Sequence, residues 1–296
     1  MAGEKTEEQA TEVEIIKAVR GAATTPVLPV RLKPRDMFCF ACHKGVSCWN
    51  VCCHGADITL TPCDIIRMSK HLGVRPREFL LEYTVPAIWE KGNLPVAKLK
   101  MGGADGQGAC AFMDDDGCTI YENRPVTCRY YPLGLATVKM KGHEEKEDFH
   151  FLVKETHCLG HEEDNLQTVD KFRAEQGLAD YDRVNRGWMD ILMKMASWTV
   201  LGGPMGKEPT VQAKKMFFMV STDVDALRDF IVTTKFLDSY DIEPDRVEAV
   251  KTDDAALLEL GFDWMKNVLF MEQIVKLKED VLREAVAKAR SNMGAT

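Results

Sequence analysis

The amino-acid sequence lacks several features that define common protein classes. No uncharged apolar run approaches the ~18–20 residues that span a bilayer. The start, MAGEKTEEQA, has no apolar stretch after a basic beginning, so we expect no secretory signal. Acidic residues outnumber basic ones, 46 to 38, and this balance argues against general nucleic-acid affinity, which requires clustered Lys and Arg. We therefore expect a cytoplasmic protein with neither a membrane nor a nucleic acid as partner.

Familiar cofactor and catalytic motifs are also missing. The sequence contains no G-x-G-x-x-G after a predicted strand, no phosphate-binding G-x4-G-K-[ST] and no H-E-x-x-H pair. The glycine-rich stretch 202–206 is interpreted as a loop that ends a helix. No residue can therefore be assigned a catalytic role, and neither a substrate nor a protein partner can be named.

Cysteine is absent from residues 159–296, although the chain contains ten. A reducing cytosol disfavours disulfides, so this density indicates metal or redox chemistry. The first cluster reads Cys39-x2-Cys42-x5-Cys48-x3-Cys52-Cys53. The second reads Cys110-x7-Cys118-x9-Cys128, and Cys158 follows alone in ETHCLG. We predict these nine as metal ligands, whereas Cys63 is expected to be a packing residue of a helix.

The spacing does not identify the metal. A C-x2-C pair places two thiolates on a tight turn, which suits zinc, and converging thiolates also suit an iron–sulfur cluster, including a four-iron one. Neither the ferredoxin runs nor paired zinc-finger knuckles match. Nine cysteines exceed one four-ligand site, so two sites, or one site with additional reactive thiols, both remain possible. His43, His54 and His157 adjoin the clusters and are expected to be bystanders.

Positive side chains near the cysteines can offset the negative charge of a thiolate site. Four thiolates around Zn²⁺, or around an oxidised four-iron cluster, leave about −2. Lys44, Arg124 and Arg129 flank the clusters. For Arg124 the favoured interpretation is structural: with Pro125 it fixes the turn between Cys118 and Cys128, while neighbouring tyrosines pack over the site.

The predicted fold class is α+β, mainly helical. A loop-rich cysteine-cluster half with short helices and a small β-hairpin is followed by a helical C-terminal half. We predict an N-terminal extension at 1–35 that docks loosely, a metal-binding domain at 36–164 and a helical region at 165–296. Three prolines within 26–34 favour extended backbone.

Local signals define individual elements. A helix is predicted to begin after Thr61, which can cap it together with Pro62 and Asp64, and to end at Gly73. A second short helix is predicted over 76–83. Asp115-Asp116-Gly117 predicts a turn. Strands are predicted over 135–140 and 149–153. Further helices are predicted over 168–176, 181–200, 223–234, 253–269 and 271–289.

Three stretches carry a resemblance to a known family. SCWNVCC, followed by ITLTPCDIIRMSKHLGV and CAFMDDDGCTIYENRPVTCRYYPLG, resembles the YkgJ-type cysteine-cluster family, a zinc- or iron-chelating domain with a C-x2-C-x2-CC signature. The resemblance covers roughly 38–160. It implies ligand roles for Cys39, Cys42, Cys48, Cys52, Cys53, Cys110, Cys118 and Cys128. The spacing Cys42-x5-Cys48-x3-Cys52 departs from the signature, which therefore does not fix the leading ligands.

Three functions remain open from the sequence. A flagellin lysine N-methylase that is similar in this region is associated with an iron–sulfur cluster, so the resemblance makes an iron–sulfur-dependent redox or methyl-transfer enzyme one hypothesis. The second is a structural zinc module with a helical partner-binding surface. The third is metal storage or delivery.

Overall fold

A computed structural model describes residues 27–139, 146–201 and 208–292. The chain forms two compact units: unit 1 comprises residues 1–58 and 100–180, and unit 2 comprises residues 59–99 and 181–296. The predicted domain boundaries stay a prediction, because compactness alone does not define an independently folding domain. The predicted loop at 202–206 and most of the predicted N-terminal extension lie outside the described residues.

The fold is α+β and mainly helical, as predicted. The described strands are β1 Val27–Leu32, β2 Met37–Cys39, β3 Thr84–Trp89, β4 Leu94–Leu99, β5 Met113–Asp114, β6 Gly117–Cys118, β7 Leu133–Lys139, β8 Lys146–Val153, β9 Leu166–Thr168, β10 Tyr240–Asp241 and β11 Lys276–Leu277. The described helices are α1 Pro62–Leu72, α2 Pro76–Tyr83, α3 Val126–Tyr130, α4 Val169–Glu175, α5 Leu178–Leu201, α6 Val211–Thr222, α7 Val224–Thr233, α8 Phe236–Ser239, α9 Pro244–Thr252, α10 Asp254–Phe270 and α11 Glu279–Asn292.

Unit 1 is built on small antiparallel sheets. The largest has the order β1-β8-β7, so the predicted strand pair forms with slightly longer strands. The pairing of β1 with β8 means that residues 27–32 of the predicted extension belong to a sheet rather than to a loosely docked arm. Pro29 is tolerated there because β1 lies at the sheet edge, where a missing N–H is harmless.

The apolar core of unit 1 contains the residues on both sides of Cys39, the first cysteine of the first cluster. Phe38 and Phe40 lie on either side of Cys39 and are buried together with Phe172 of α4. The rings of Phe38 and Phe172 meet edge to face at 5.7 Å between centroids. β2 pairs with β9, and α4 follows β9 directly behind an N-cap at Thr168, as predicted. The residues just before Cys42 are therefore held by core packing and by the pairing of β2 with β9.

Unit 2 is mainly helical and contains the β3–β4 hairpin. The predicted capping box at the start of α1 is confirmed: Asp64 N–H donates to Thr61 Oγ1 at 3.2 Å, and Thr61 N–H donates to Asp64 Oδ2 at 2.9 Å. Gly73 ends α1 with a left-handed φ of 69°. The predicted helices over 76–83, 181–200, 223–234 and 253–269 are confirmed within a few residues at each end.

The predicted tail helix over 271–289 is wrong at its start. Met271 has a left-handed φ of 57° and ends α10, and residues 276–277 then form β11 against β10. Helix α11 begins only at Glu279. None of the helices that the structure describes is long and apolar enough to cross a bilayer.

Candidate metal centre

The nine predicted ligand cysteines all lie in unit 1, and Cys63 lies in unit 2. All ten are free thiols. Cys63 is buried in α1, where its backbone N–H donates to Asn185 Oδ1 at 3.1 Å, which agrees with the packing role expected from the sequence. Cys39 is held in β2 opposite Leu166, and its predicted role as a ligand stays a prediction.

A first thiol group consists of Cys42, Cys48, Cys52 and Cys158. Two backbone hydrogen-bond donors bring its distant parts together: Ala41 N–H donates to Gly160 O at 3.0 Å, and Leu159 N–H donates to Cys48 Sγ at 3.2 Å. Cys42 lies close enough to each of the other three to interact with its charge, as Cys158 does with Cys48 and Cys52. Cys158, predicted from its position alone, therefore joins the leading cysteines.

A second thiol group consists of Cys53, Cys110, Cys118 and Cys128. The Cys110 N–H donates to Cys53 O at 2.7 Å, and an isolated bridge joins His54 to Ala109. Cys53 interacts electrostatically with Cys110 and Cys128, and Cys110 interacts with Cys118. The two groups meet where the Cys53 thiol donates to Cys52 and where Cys118 also interacts with Cys52.

The β5–β6 hairpin holds the second cluster against the first. It turns at Asp115-Asp116, as predicted, and Gly117 adopts a φ of 121° that L-residues rarely reach. The ring of Trp49 covers Gly117 so closely that a Cβ there would lie 2.6 Å from Trp49 Cζ2. Asn50 Nδ2 also donates to Asp114 O at 2.8 Å. These contacts tie the 48–53 segment to the hairpin that carries Cys118.

Crowding makes it costly to ionise these thiols together. Although part of the Cys42 side chain reaches solvent, desolvation and then the neighbouring thiolates raise its pKa from 9.0 to about 11. The hydrogen bond from Cys53 lowers the pKa of Cys52 to about 7, and the same bond raises the pKa of Cys53. The shared hydrogen bond therefore favours ionisation of Cys52 over that of Cys53, and a bound cation would remove the penalty for ionising the other thiols.

Backbone amides face several of the sulfurs. Leu159 N–H donates to Cys48 Sγ at 3.2 Å. The N–H groups of Phe112, Ile120 and Gly160 lie near the sulfurs of Cys110, Cys118 and Cys158 and offset part of the rise in pKa that burial causes in these thiols. Amide donors stabilise the thiolate form that metals require, and hydrogen bonds to sulfur also tune iron–sulfur clusters. The donor set therefore fits a thiolate-bound metal.

Arg124 is the predicted cation that lies beside the thiols. It is buried, with 8% of the side chain exposed, and its guanidinium interacts with Cys118, Cys128 and Cys42. It donates to Tyr121 O at 2.6 Å and to Gln176 Oε1, and it lies 3.7 Å from the centroid of the Tyr121 ring. Desolvation lowers the pKa of Arg124. Arg124 therefore holds the turn through its hydrogen bond to Tyr121 O and also lies where its charge can act on the thiols.

The other two predicted cations are engaged differently. Lys44 forms an exposed ion pair with Asp116. Arg129 is buried and donates to the backbone carbonyls of Gln176, at 2.9 Å, and of Glu122. Gln176 therefore fixes Arg124 through its side chain and Arg129 through its backbone. No sequence signal pointed to Gln176, because it lies in the turn after α4, far along the chain from both arginines.

The histidines near the clusters have partners outside the two thiol groups, and their expected role as bystanders stays a prediction. In His43, Nε2 lies 3.1 Å from Glu163 Oε2, and Nδ1 accepts from Gly45 N–H at 3.1 Å. His54 Nδ1 lies 3.2 Å from Asn50 O. His157 forms an ion pair with Glu155 at 3.1 Å. The donor set around the thiol groups is therefore dominated by sulfur.

An aromatic cover lies over the first thiol group. The Tyr131 hydroxyl is buried and makes no hydrogen bond of ordinary geometry, yet it lies near enough to Cys158 for each group to shift the pKa of the other. The Tyr131 ring meets Phe40 and His161 at 5.8 and 6.1 Å between centroids. Gln167 Nε2 anchors this region by donating to Phe40 O at 2.7 Å. Packing of Tyr131 was expected, whereas His161 and Gln167 were not foreseen.

The sulfurs are grouped but not yet arranged around one point. Among residues 27–139, 146–201 and 208–292, no three Cys, His, Asp or Glu side chains already form a set that could hold a metal ion. A cysteine sulfur moves by rotation about χ1 alone, between staggered positions. Metal binding would therefore require rotation of thiols that the backbone already holds close together.

Comparison with known proteins gives one finding. Residues 41–159, less than half of the chain, match the model of the CxxCxxCC family, whose description is "Putative zinc- or iron-chelating domain". No curated protein and no solved structure shows a significant match. The match begins just before Cys42 and ends just after Cys158, so it spans both thiol groups. Residues 41–159 are therefore similar to a domain described as chelating zinc or iron, whereas Cys39 lies just before the match.

Proposed function

We propose that unit 1 binds a metal centre, an iron–sulfur cluster or zinc, through cysteine thiolates. The observation that carries the proposal is the proximity of eight thiols from four separate stretches of chain. The sulfur of one of them, Cys48, accepts a hydrogen bond from the backbone N–H of Leu159. Hydrogen bonds between backbone groups, such as Cys110 N–H to Cys53 O, support this grouping independently of any charge.

The chemistry of the donor set favours soft, thiophilic metals. Thiolates select zinc and iron–sulfur clusters, whereas magnesium and calcium require oxygen ligands. The family match, with its zinc- or iron-chelating description, supports the same choice. The narrower YkgJ-type assignment is part of this proposal. So is a reducing, cytoplasmic environment, in which the thiols stay available for metal.

The identity of the metal decides between the functional hypotheses. An iron–sulfur centre supplies electrons and so supports the redox or methyl-transfer hypothesis, whereas zinc performs no redox chemistry and supports a structural module. A storage or delivery protein would give up its metal readily to a chelator. Anaerobic purification, followed by determination of iron and zinc and by an absorption spectrum, separates these cases.

The test of the proposal is the double substitution C52S/C53S. These two residues connect the thiol groups, so their loss should remove most of the bound metal and destabilise unit 1, because metal-binding energy is also folding energy. Metal content per chain is measured by elemental analysis. The matched control is Cys63→Ala, which removes a thiol from unit 2 and should leave the metal content at the wild-type value. Wild-type metal content in C52S/C53S would refute the proposal.

A further inference from the structure

We infer that the eight thiols form two separate four-thiolate centres, the first made by the first thiol group and the second by the second thiol group. This inference rests on the proposed function and goes beyond it, because neither the sequence nor the family match gives the number of centres or divides the ligands between them.

Different hydrogen bonds assemble the two groups, although Cys52 and Cys53 lie side by side where the groups meet. The first is assembled where the segment before Cys42 and the Cys48 sulfur meet residues 158–160, through Ala41 N–H to Gly160 O and Leu159 N–H to Cys48 Sγ. Neither of these two hydrogen bonds involves the β5–β6 hairpin, which contacts the first cluster through Trp49 and Asn50 instead. The first group therefore joins cysteines of the first cluster to Cys158, the last cysteine of the chain.

The second group is assembled on a different backbone junction. Cys110 N–H donates to Cys53 O, and the His54–Ala109 bridge continues the same pairing. Thr119 N–H then donates to Phe112 O at 2.8 Å, which brings Cys118 back beside Cys110. Asn123 N–H donates to Ile120 O at 2.7 Å, so the chain turns directly after Cys118 and leads into α3, which carries Cys128.

The number of ligands matches two complete sites. Structural zinc takes four ligands in a tetrahedron, and four cysteines also hold an iron–sulfur cluster. Two centres use all eight, and Cys52 and Cys53, adjacent in the 51–53 turn, place one ligand in each.

Cobalt titration of the reduced, metal-free full-length protein tests this division. Co²⁺ bound by thiolates gives sulfur-to-metal charge-transfer absorption, so the end point counts thiolate sites without relying on any activity. The wild-type protein should saturate at about two equivalents per chain, as expected for four ligands per site. Saturation at one equivalent would overturn the inference. Absence of thiolate-to-cobalt absorption in the wild type would instead refute the proposed function itself.

Paired variants test which thiols belong together. C48S/C158S should abolish the first centre and C110S/C128S the second, and each variant should still bind about one equivalent of Co²⁺. The cross-group variant C48S/C128S should lose both high-affinity sites. Loss of all cobalt binding in both within-group variants, or retention of one full site in the cross-group variant, would contradict the division. The wild-type end point remains decisive even if a variant fails to fold.

Discussion

At the scale of single residues, Arg124 is the side chain with the most direct influence on the proposed centre apart from the cysteines. A thiolate centre has a net negative charge. The buried guanidinium of Arg124 lies near Cys42, Cys118 and Cys128, where little water screens its attraction to that charge. Its position depends on Gln176, which accepts one of its hydrogen bonds. Arg124 should therefore affect metal affinity as well as the local fold.

Replacing Arg124 by leucine should weaken metal binding by about tenfold, corresponding to about 1.4 kcal/mol of lost stabilisation. Competition with a chelator measures the change. The matched control is Q176M, which removes the hydrogen-bond partner but retains the positive charge and should have the smaller effect. Equal affinities of R124L and the wild-type protein would contradict the charge-balancing role. An equal loss in both variants would show that only the packing matters.

Sequence patterns set Cys63 apart from the other cysteines but did not reveal the residues that surround the thiol groups. The separation of Cys63 from the other nine followed from its place inside a capped helix, and the structure puts it in the other unit. Gln167 and His161 could not be foreseen, because an isolated Gln or His carries no local pattern. They become relevant only when β9 and the 160–162 turn fold beside Phe40.

At the scale of elements, the β5–β6 hairpin connects the two cysteine clusters. Its two-residue turn was predictable from Asp115-Asp116-Gly117, since this sequence favours turns. The covering contact from Trp49 was not, because it joins residues far apart in the sequence. The hairpin is therefore the element whose distortion should most directly disturb the second thiol group.

Gly117→Ala should destabilise unit 1 by about 1–3 kcal/mol, because alanine must adopt an unfavourable φ and also displace the Trp49 ring. Gly106→Ala is the matched control. Gly106 also has a positive φ, 70°, but a Cβ there meets nothing within 4 Å, so the cost should be about 1 kcal/mol. Chemical denaturation of both variants measures the difference. Equal destabilisation of the two would show that the contact with Trp49 is unimportant.

Helices with clear end signals were predicted well, and elements without them were not. Thr61, Thr168 and Asp223 each cap a helix that the sequence indicated. The β3–β4 hairpin was not predicted, because β3 begins at Thr84 directly after α2 and no glycine or proline between them marks the end of the helix. The last helix begins later than predicted because Met271 adopts a left-handed φ and ends α10. This conformation is rare for methionine, so the sequence alone does not predict it.

At the scale of the whole molecule, the chain passes from unit 1 to unit 2 and back before it ends in unit 2. Residues 59–99, which carry α1, α2 and the β3–β4 hairpin, lie between the two cysteine clusters in sequence but belong to unit 2. This organisation could not be predicted from local patterns, because it depends on contacts such as Cys53 with Cys110 that only the folded chain provides. It explains why Cys63 can lie between the clusters in sequence yet outside the thiol groups.

The central claim is that cysteine sulfur from both clusters surrounds a metal in unit 1. X-ray absorption at the iron or zinc edge of the anaerobically purified full-length protein tests it most directly, because this measurement reports the atoms bound to the metal. We predict a first shell made of sulfur, at about 2.3 Å if the metal is zinc. A first shell dominated by nitrogen or oxygen, at about 2.0–2.2 Å for zinc, would contradict the account.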